Sequence, residues 1–594
     1  MQRRELLAAG ACSTFASLAS LSSSAAYAAA PKRLRTAFIA AEVGFDAPQV
    51  SDNSSLTIVD LIFEAPLAYD ALASPAQLVP LTAAALPVVS ADFRHFVFTI
   101  RPGILFADDP VFKGRPRELT AADYVYSVKR FYDPALKSER LYLYENARLL
   151  GLSELRKKAL AARSAFDYDT EVDGLRALDR YRFEVRLAAP APRFVHVFGA
   201  SQNAGAVARE VVEAYAADLM AHPVGTGPYR LAEWRRSSRI VLERNPRFRE
   251  LRFDSVAPAG DAEAVSTAHE LAGRRLPLVD RIEVSVIEES QPRWLAFVGG
   301  EIDTIRLPPA FAPLAMPGGK LAPYLAKRGV HARRTLSASV THTYFNFDDP
   351  QVGGYTPVKI ALRRAIALGC DNAADIRLFY NGQALPAQSM IPPHNVGFDP
   401  ALKSEMSEAS PARANALLDL YGYARGGDGW RRHPGGQALL LRRASSQDQR
   451  SRQLNELWQK RMHAIGLRIV FEIAPFGELI KRSLAGQLQM WGFNWSQGPD
   501  GEFFLGLAYG PNAEQSNDAR FRLPAFDALY QRQSLMSDGP ERLAVMHEAT
   551  RLMLAYVPYI AHVHPIETDL SHAHVKHLIR HPFKAAWWHF TDVE

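Results

Sequence analysis

Three stretches in the first part of the chain read as strands, the second and third of them alternating apolar and polar residues with the period of two of half-buried strands. RTAFIAAEV (35–43) is the first. HFVFTIRPGILFAD (95–108) sets Phe96, Phe98 and Ile100 on one face before a turn at Pro102–Gly103, and RYRFEVRLAAP (180–190) is the third. Between them the spacing lengthens to that of a helix. TIVDLIFEAPLAY (57–69) keeps helical spacing up to Pro66. ELTAADYVYSVKRFYDP offers Thr120 as N-cap and Asp123 as its capping-box partner, and runs to the Asp133–Pro134 break. Further on, DRIEVSVI (280–287) returns to strand, and PRWLAFVGGEIDTIRLPP predicts a helix closed by Gly299–Gly300 and then a short strand. The later half alternates helices (KIALRRAIALG, ARANALLDLYG, QRSRQLNELWQKRMHAIG) with short strands (ALLLRRA, LRIVFEIA, LQMWGFNW). The stretch 251–277, rich in Ala, Pro and Gly, predicts an excursion over the surface. The sum is a mixed α/β chain in several lobes.

One segment, HPVGTGPYRLAEW (222–234), tests whether glycine spacing marks a nucleotide site. A phosphate loop needs a strand before it, a helix after it and a terminal Lys-Ser/Thr. Here Gly225 and Gly227 bracket a turn, Pro228 fixes φ, YRLAEW begins a strand, and SRIVLERNP (238–246) returns as its hairpin partner. The glycines read as structural.

Composition narrows the picture. With 594 residues the chain predicts two or three domains. A net charge of +6 without a basic, aromatic-interleaved run argues against nucleic acid. Residues 1–30 open with Arg3–Arg4, continue through a weakly apolar stretch and end in Ala-Tyr-Ala-Ala-Ala, which predicts a secretory signal cleaved after Ala28 or Ala30. Arg3–Arg4 before Glu5-Leu6-Leu7 resembles a twin-arginine signal, with the general secretory route left open. Cys12 follows too short an apolar run for lipid attachment, so Cys370 is the one cysteine of the mature chain, and stability must come from the core rather than disulfides. No later stretch reaches about 18 unbroken apolar residues. The expected location is the periplasm.

A collinear series of segments then resembles the family 5 extracellular solute-binding proteins, the peptide and nickel receptors of ABC importers. It comprises IFEAPLAY, FTIRPGILFAD, LTAADYVYSVKRFYDP, HPVGTGPYRLAEWRRSSRIVLERNPRF, YFNFDDP, GQALPAQSMIPP, KRMHAIGLRIVFEIAPFGELIKRSLAGQLQMWGFNW and LMLAYVPYIAHVHP. The resemblance implies a bilobed α/β binding protein of the large type. Lobe I would be 31–56, 223–346 and 558–594, with an extra subdomain over 57–222, and lobe II would be 347–557. Hinges would lie near Asn346 and Pro558. The ligand would be an oligopeptide or peptide-like solute handed to a membrane permease and ATPase by a monomer, with no cofactor.

The resemblance also assigns residues. One ligand edge would be Glu42, Val43 and Gly44, and the other Asn494, Trp495, Ser496 and Gln497 after Phe493. Tyr142 and Tyr144 stand where relatives place a ligand-facing aromatic. Peptide receptors carry an ammonium-binding aspartate three residues beyond the tryptophan, but this sequence has Gly498 there. Either Asp500 or Glu502 takes that role, or the ligand has no free α-amino group.

Other chemistries carry less. His562 and His564, on one face if strand, are candidate metal ligands for nickel, copper or zinc, and a metal chelate or haem is the alternative cargo. Solvated surface histidines are the plainer reading of the crowded C-terminal stretch. Enzyme motifs fail: there is no Gly-x-Ser-x-Gly, and His547-Glu548-Ala549-Thr550-Arg551 lacks the second zinc-ligand histidine. A ligand-binding sensor for a signalling partner needs the same closing lobes as a transport receptor, so the sequence does not separate the two.

Overall fold

The computed structural model describes residues 31–584 and 586–594, so the expected signal segment lies outside the described residues. Strand Arg33–Phe38, buried at alternate positions, pairs in parallel with Arg281–Val286. That strand pairs with Arg239–Arg244, which forms the expected hairpin with Tyr229–Arg235 and completes a four-stranded sheet.

The glycines that launch this hairpin are explained by close approach. A Cβ on Gly225 would lie 2.0 Å from the Ile62 carbonyl oxygen, and one on Gly227 would lie 2.6 Å from it. The segment therefore slides against the end of helix Asn53–Ile62, and the Gly227 N–H donates to the Ile62 carbonyl at 2.8 Å. Thr226, between the glycines, donates to Oε2 of buried Glu64 at 2.9 Å. Arg249 grips the same carboxylate with two bonds of 2.7 and 2.9 Å. A buried carboxylate needs this much pairing.

A second sheet, in the order Val88–Val89, His95–Thr99, Arg182–Arg186, Leu175–Ala177, gathers the other two alternating stretches. Helix Ala121–Tyr132 starts with the expected Thr120–Asp123 capping box and packs on this sheet, where Phe98 stacks on Phe183 with centroids 4.8 Å apart. Its Arg130 is paired with Asp46 at 2.7 and 2.9 Å, both buried, which fastens the helix to the loop after the first strand.

The third sheet has nine strands around two long neighbours, Ser339–Phe345 and Tyr559–Ser571. Residues 566–571 pair with His331–Leu336, and Leu570 joins a core with Trp294, Phe297 and Leu325. Residues 559–563 pair with 341–344 and join other cores, with Tyr344, Trp491 and Tyr559 in one and Phe345, Leu362, Trp458 and Ile560 in another. The polypeptide thus leaves one hydrophobic core and enters the next along a continuous strand.

Two local expectations change. The 251–277 excursion contains helix Ala262–Leu271, capped by Asp261 and held by the ribbon Leu251–Arg252 with Arg275–Leu276. The 57–69 helix lies earlier, at Asn53–Ile62, because Asp52 accepts from the Ser55 N–H as N-cap, and Leu67–Tyr69 is strand.

Gly225→Ala places a methyl group against a backbone oxygen that has no rotamer to escape into. We expect a loss of about 3 kcal/mol or more, the upper end for overpacking. Gly299, with no neighbouring atom within 4 Å of its added Cβ, should tolerate alanine. Urea unfolding of both variants checks this, and equal midpoints would contradict it.

Candidate ligand-binding cleft

Gly492 breaks the LQMWGFNW strand. A Cβ there would lie 2.2 Å from the His342 carbonyl oxygen. Met490–Trp491 is consequently held between two neighbours, whereas Asn494–Ser496 turns out to pair with Ser339–Thr341 alone. Among the described residues its other edge is unpaired. Asn494 and Ser496 are exposed, and Trp495 leans on Phe493 with centroids 6.0 Å apart. The Trp495 indole N–H is buried with no protein partner among the described residues.

The opposite wall is only partly as expected. The Val43 and Gly44 N–H groups both donate to Ser55 Oγ, at 2.9 and 3.3 Å. The Glu42 side chain is turned away from that edge. Its Oε1 accepts from Trp234 Nε1 at 2.6 Å and from the Ser237 N–H at 2.8 Å, so it braces the hairpin turn.

Tyr142 and Tyr144 share helix Leu141–Ala147, but residues two apart on a helix point to different faces. Tyr142 reaches across: its hydroxyl accepts from Gln497 Nε2 at 2.9 Å, which joins two residues 355 apart in the chain. Burial pushes its hydroxyl up to about 12. Tyr144 instead sits in the core against Phe131, Tyr132 and Phe194, and its hydroxyl donates to the Asn203 carbonyl. It does not face the cleft.

Beyond Trp495 the chain turns at Gly498, whose carbonyl accepts from Asn395 Nδ2 at 2.6 Å. Asp500 is buried and receives both Nη groups of Arg542, at 2.9 and 2.6 Å, as well as the Glu502 N–H at 2.8 Å. Glu502 takes Arg193 Nε at 2.8 Å and Arg542 Nη2 at 3.4 Å. Burial raises the Glu502 carboxyl despite these arginines. Both carboxylates are therefore committed to arginines, and neither stands free to meet a ligand ammonium group.

Sequence reasoning missed the wall beside Gly498. Tyr69 lies between His196 and His581, with centroids 6.0 and 5.8 Å away, and its hydroxyl is 3.2 Å from His196 Nδ1. A Cβ on Gly498 would lie 3.6 Å from that hydroxyl. Burial pushes the Tyr69 hydroxyl up and both imidazoles down, that of His581 to about 3, so the wall is neutral. Tyr69 lies in the IFEAPLAY motif, but nothing local in the sequence links it to positions 196 and 581.

The expected histidine pair is split by a β-bulge. The register shifts between Thr341 and His342, leaving His562 as the extra residue on its strand. His562 turns to Trp458 and His564 to Phe398, rings that belong to different cores. His562 Nδ1 donates to Asn372 Oδ1 at 3.1 Å and its Nε2 accepts from Thr343 at 3.0 Å, while His564 Nδ1 donates to the Ser339 carbonyl at 3.0 Å. They are neither a chelating pair nor solvated surface groups. No cluster of three or more metal-ligating side chains occurs among the described residues.

An open strand edge at Asn494–Ser496 and the aromatic group of Tyr69, His196 and His581 are thus brought near one another from sequence-distant parts of the chain. Residues 77–516 match the family model for bacterial extracellular solute-binding proteins, family 5 Middle. The chain belongs to that family. Di/tripeptide-binding protein 2 of Pseudomonas aeruginosa is 24% identical over 584 residues, covering 96% of both chains. Heme-binding protein A of Haemophilus influenzae is 23% identical, covering 83% of this chain and 80% of its own. The periplasmic binding protein DppA of Helicobacter pylori, solved with the peptide STSA, aligns with a TM-score of 0.73 at 18% identity, over 95% of this chain and 98% of its own. The family 5 fold, a bilobed α/β receptor, is thus established for this chain.

Two predictions concern this family member's buried charge. Arg542→Met should cost about 3–5 kcal/mol, because Asp500 is left buried without its cation. Adding Asp500→Asn should recover much of the loss. Urea unfolding reads both, and an additive double mutant would refute the pairing. The second concerns pH. Burial lowers His342 and His564 to about 4 and His562 to about 3. The unfolded chain binds these protons near pH 6.5 and the folded chain does not. Stability is therefore fully present above 6.5 and declines as pH falls toward 4, by about 1.4 kcal/mol per unit for each histidine. His562→Gln should flatten the urea midpoint against pH between 7 and 5. A wild-type midpoint constant over that window would be the contrary result.

Proposed function

We propose that this family 5 protein is the solute receptor of an ABC importer, that it acts as a monomer in the periplasm, and that it presents a peptide or peptide-like ligand to a membrane permease driven by an ATPase. The observation that carries the ligand class is the unpaired edge of Asn494–Ser496, bridged to the opposite wall by Gln497 and Tyr142. An extended peptide adds to such an edge through main-chain hydrogen bonds, and its side chains need little selection. The relatives named for peptides, and the peptide in the Helicobacter pylori structure, support this reading.

The ligand's amino end, in this reading, is not recognised by a carboxylate at positions 498–502, since Gly498 has none and Asp500 and Glu502 are held by arginines. The lobes are taken as 31–56, 223–346 and 558–594 for lobe I, 57–222 for its subdomain and 347–557 for lobe II. The division is supported by the separate subdomain sheet within 88–186 and by the separate cores around Trp491 and Trp458 within lobe II. The hinges are taken near Asn346 and Pro558, and the change of core along the two long strands supports a crossing between lobes in this part of the sheet. A haem or metal chelate is the second reading, supported by the haem-binding relative.

Mass spectrometry and visible absorption of the molecule released on denaturing natively purified protein separate the two. Peptide masses are expected, whereas a porphyrin spectrum would replace the first reading by the second. Trp495→Ala should then weaken binding of the released molecule at least about tenfold, as loss of a packed aromatic anchor does. Unchanged affinity in a folded variant would remove Trp495 from the site.

A further inference from the structure

Arg193 follows the subdomain strand Arg182–Arg186 and opens the short helix Phe194–Gly199, yet every partner of its guanidinium lies between 502 and 538. Nε donates to Glu502 Oε2 at 2.8 Å and Nη1 to the Met536 carbonyl at 2.8 Å. Nη2 donates to the Gln533 carbonyl at 3.1 Å and to that of Ser534, and Asp538 Oδ1 is 3.5 Å away. The side chain is 6% exposed.

Those carbonyls end helix Pro524–Leu535, at the negative end of the helix dipole, where only the Gln533 carbonyl of the three also accepts the Met536 N–H, at 3.2 Å. Arg193 thus caps, from the subdomain, a helix of the opposite lobe. It also changes the charge balance there. Without it, Arg542 alone faces Asp500, Glu502 and Asp538. The tethered segment is the one leading out of Trp495–Gln497, and Phe503 within it packs against the core of the subdomain side.

We propose that Arg193 is a latch that positions the two walls of the ligand cleft, holding lobe II against the subdomain through Glu502 and the helix end. The proposal rests on the solute-receptor reading only in calling the opened gap a ligand cleft. The latch sets how far the walls separate before ligand arrives. When they part, the helix carbonyls return to water, and Glu502, already 19% exposed, loses its nearer cation.

The test uses the mature protein freed of ligand by unfolding and refolding. Small-angle scattering and amide hydrogen exchange are measured for wild type, Arg193→Met, Arg193→Lys and Glu502→Gln. Arg193→Met should enlarge the radius of gyration and speed exchange at least tenfold in 502–505 and 536–538. Arg193→Lys, a point charge without the fork, should fall between. Glu502→Gln should open the molecule in the same direction, and combining it with Arg193→Met should add little. If Arg193→Met fails to fold, Glu502→Gln and Arg193→Lys still decide the question. Scattering profiles identical to wild type, even with a lowered melting temperature, would make Arg193 a merely structural residue and overturn the latch. Since no cargo enters these measurements, a failed ligand search leaves their outcome intact, and a failed latch leaves the ligand search intact.

Discussion

A carboxylate taken out of water must find a cation or a full set of hydrogen bonds, and at Asp500 and Glu502 this requirement organises the cleft. Asp500 answers it within its own lobe, through the two Nη groups of Arg542 and the Glu502 N–H. Glu502 answers it chiefly across the gap, through Arg193. One pair therefore fixes the shape of the loop after Trp495, and the other fixes where that loop sits against the facing wall. Beside them lie a carbonyl at Gly498 held by Asn395 and a Gln497 amide within reach of Tyr142, and neither Asp500 nor Glu502 is left over for a ligand.

The same requirement fastens the subdomain to its lobe. Asp46 with Arg130 ties the loop after the first strand to helix Ala121–Tyr132. Glu64 with Arg249 and Thr226 ties the end of helix Asn53–Ile62 to the hairpin launched at Gly225 and Gly227. Buried ion pairs of this kind contribute little net stability over well-packed hydrophobic groups. Their effect is on register. A shift of one residue in either segment strands a buried charge, whereas the apolar contacts around it would repack.

How much was legible in the sequence differs between fold and site, and the reason is range. Local patterns were readable: the Thr120–Asp123 capping box, the helix closed by Gly300, the hairpin after Pro228 and the three early strands all rest on residues a few positions apart. The site depends on pairs such as Tyr142–Gln497 and Arg193–Glu502, separated by 355 and 309 residues, which no local pattern encodes. Resemblance placed Trp495, Gln497, Glu42 and Tyr144 alike at the ligand. The structure assigns Glu42's side chain to a hairpin turn and Tyr144 to the core. The histidines misled for a different reason. Alternation along a strand predicts one face for His562 and His564, and a single bulge at His342 cancels it.

A cleft with a neutral wall and a charged latch divides recognition from closure. Main-chain hydrogen bonds at an open edge such as Asn494–Ser496 are the same for any extended peptide, and a neutral surrounding adds little preference for charge. Apparent affinity then depends on the fraction of molecules whose walls are already close, since a receptor that is competent only part of the time binds proportionately more weakly. A latch made of chain residues raises that fraction equally for every cargo. It cannot improve discrimination, because it contributes the same free energy whichever ligand is present. It also slows release, since the closed arrangement must be undone before cargo leaves. Selectivity in such a receptor must come from the groups that touch the ligand and differ in shape, of which Trp495 and Tyr69 with its flanking imidazoles are the candidates. Retention comes from Arg193, three residues before His196, whose guanidinium points to the opposite lobe.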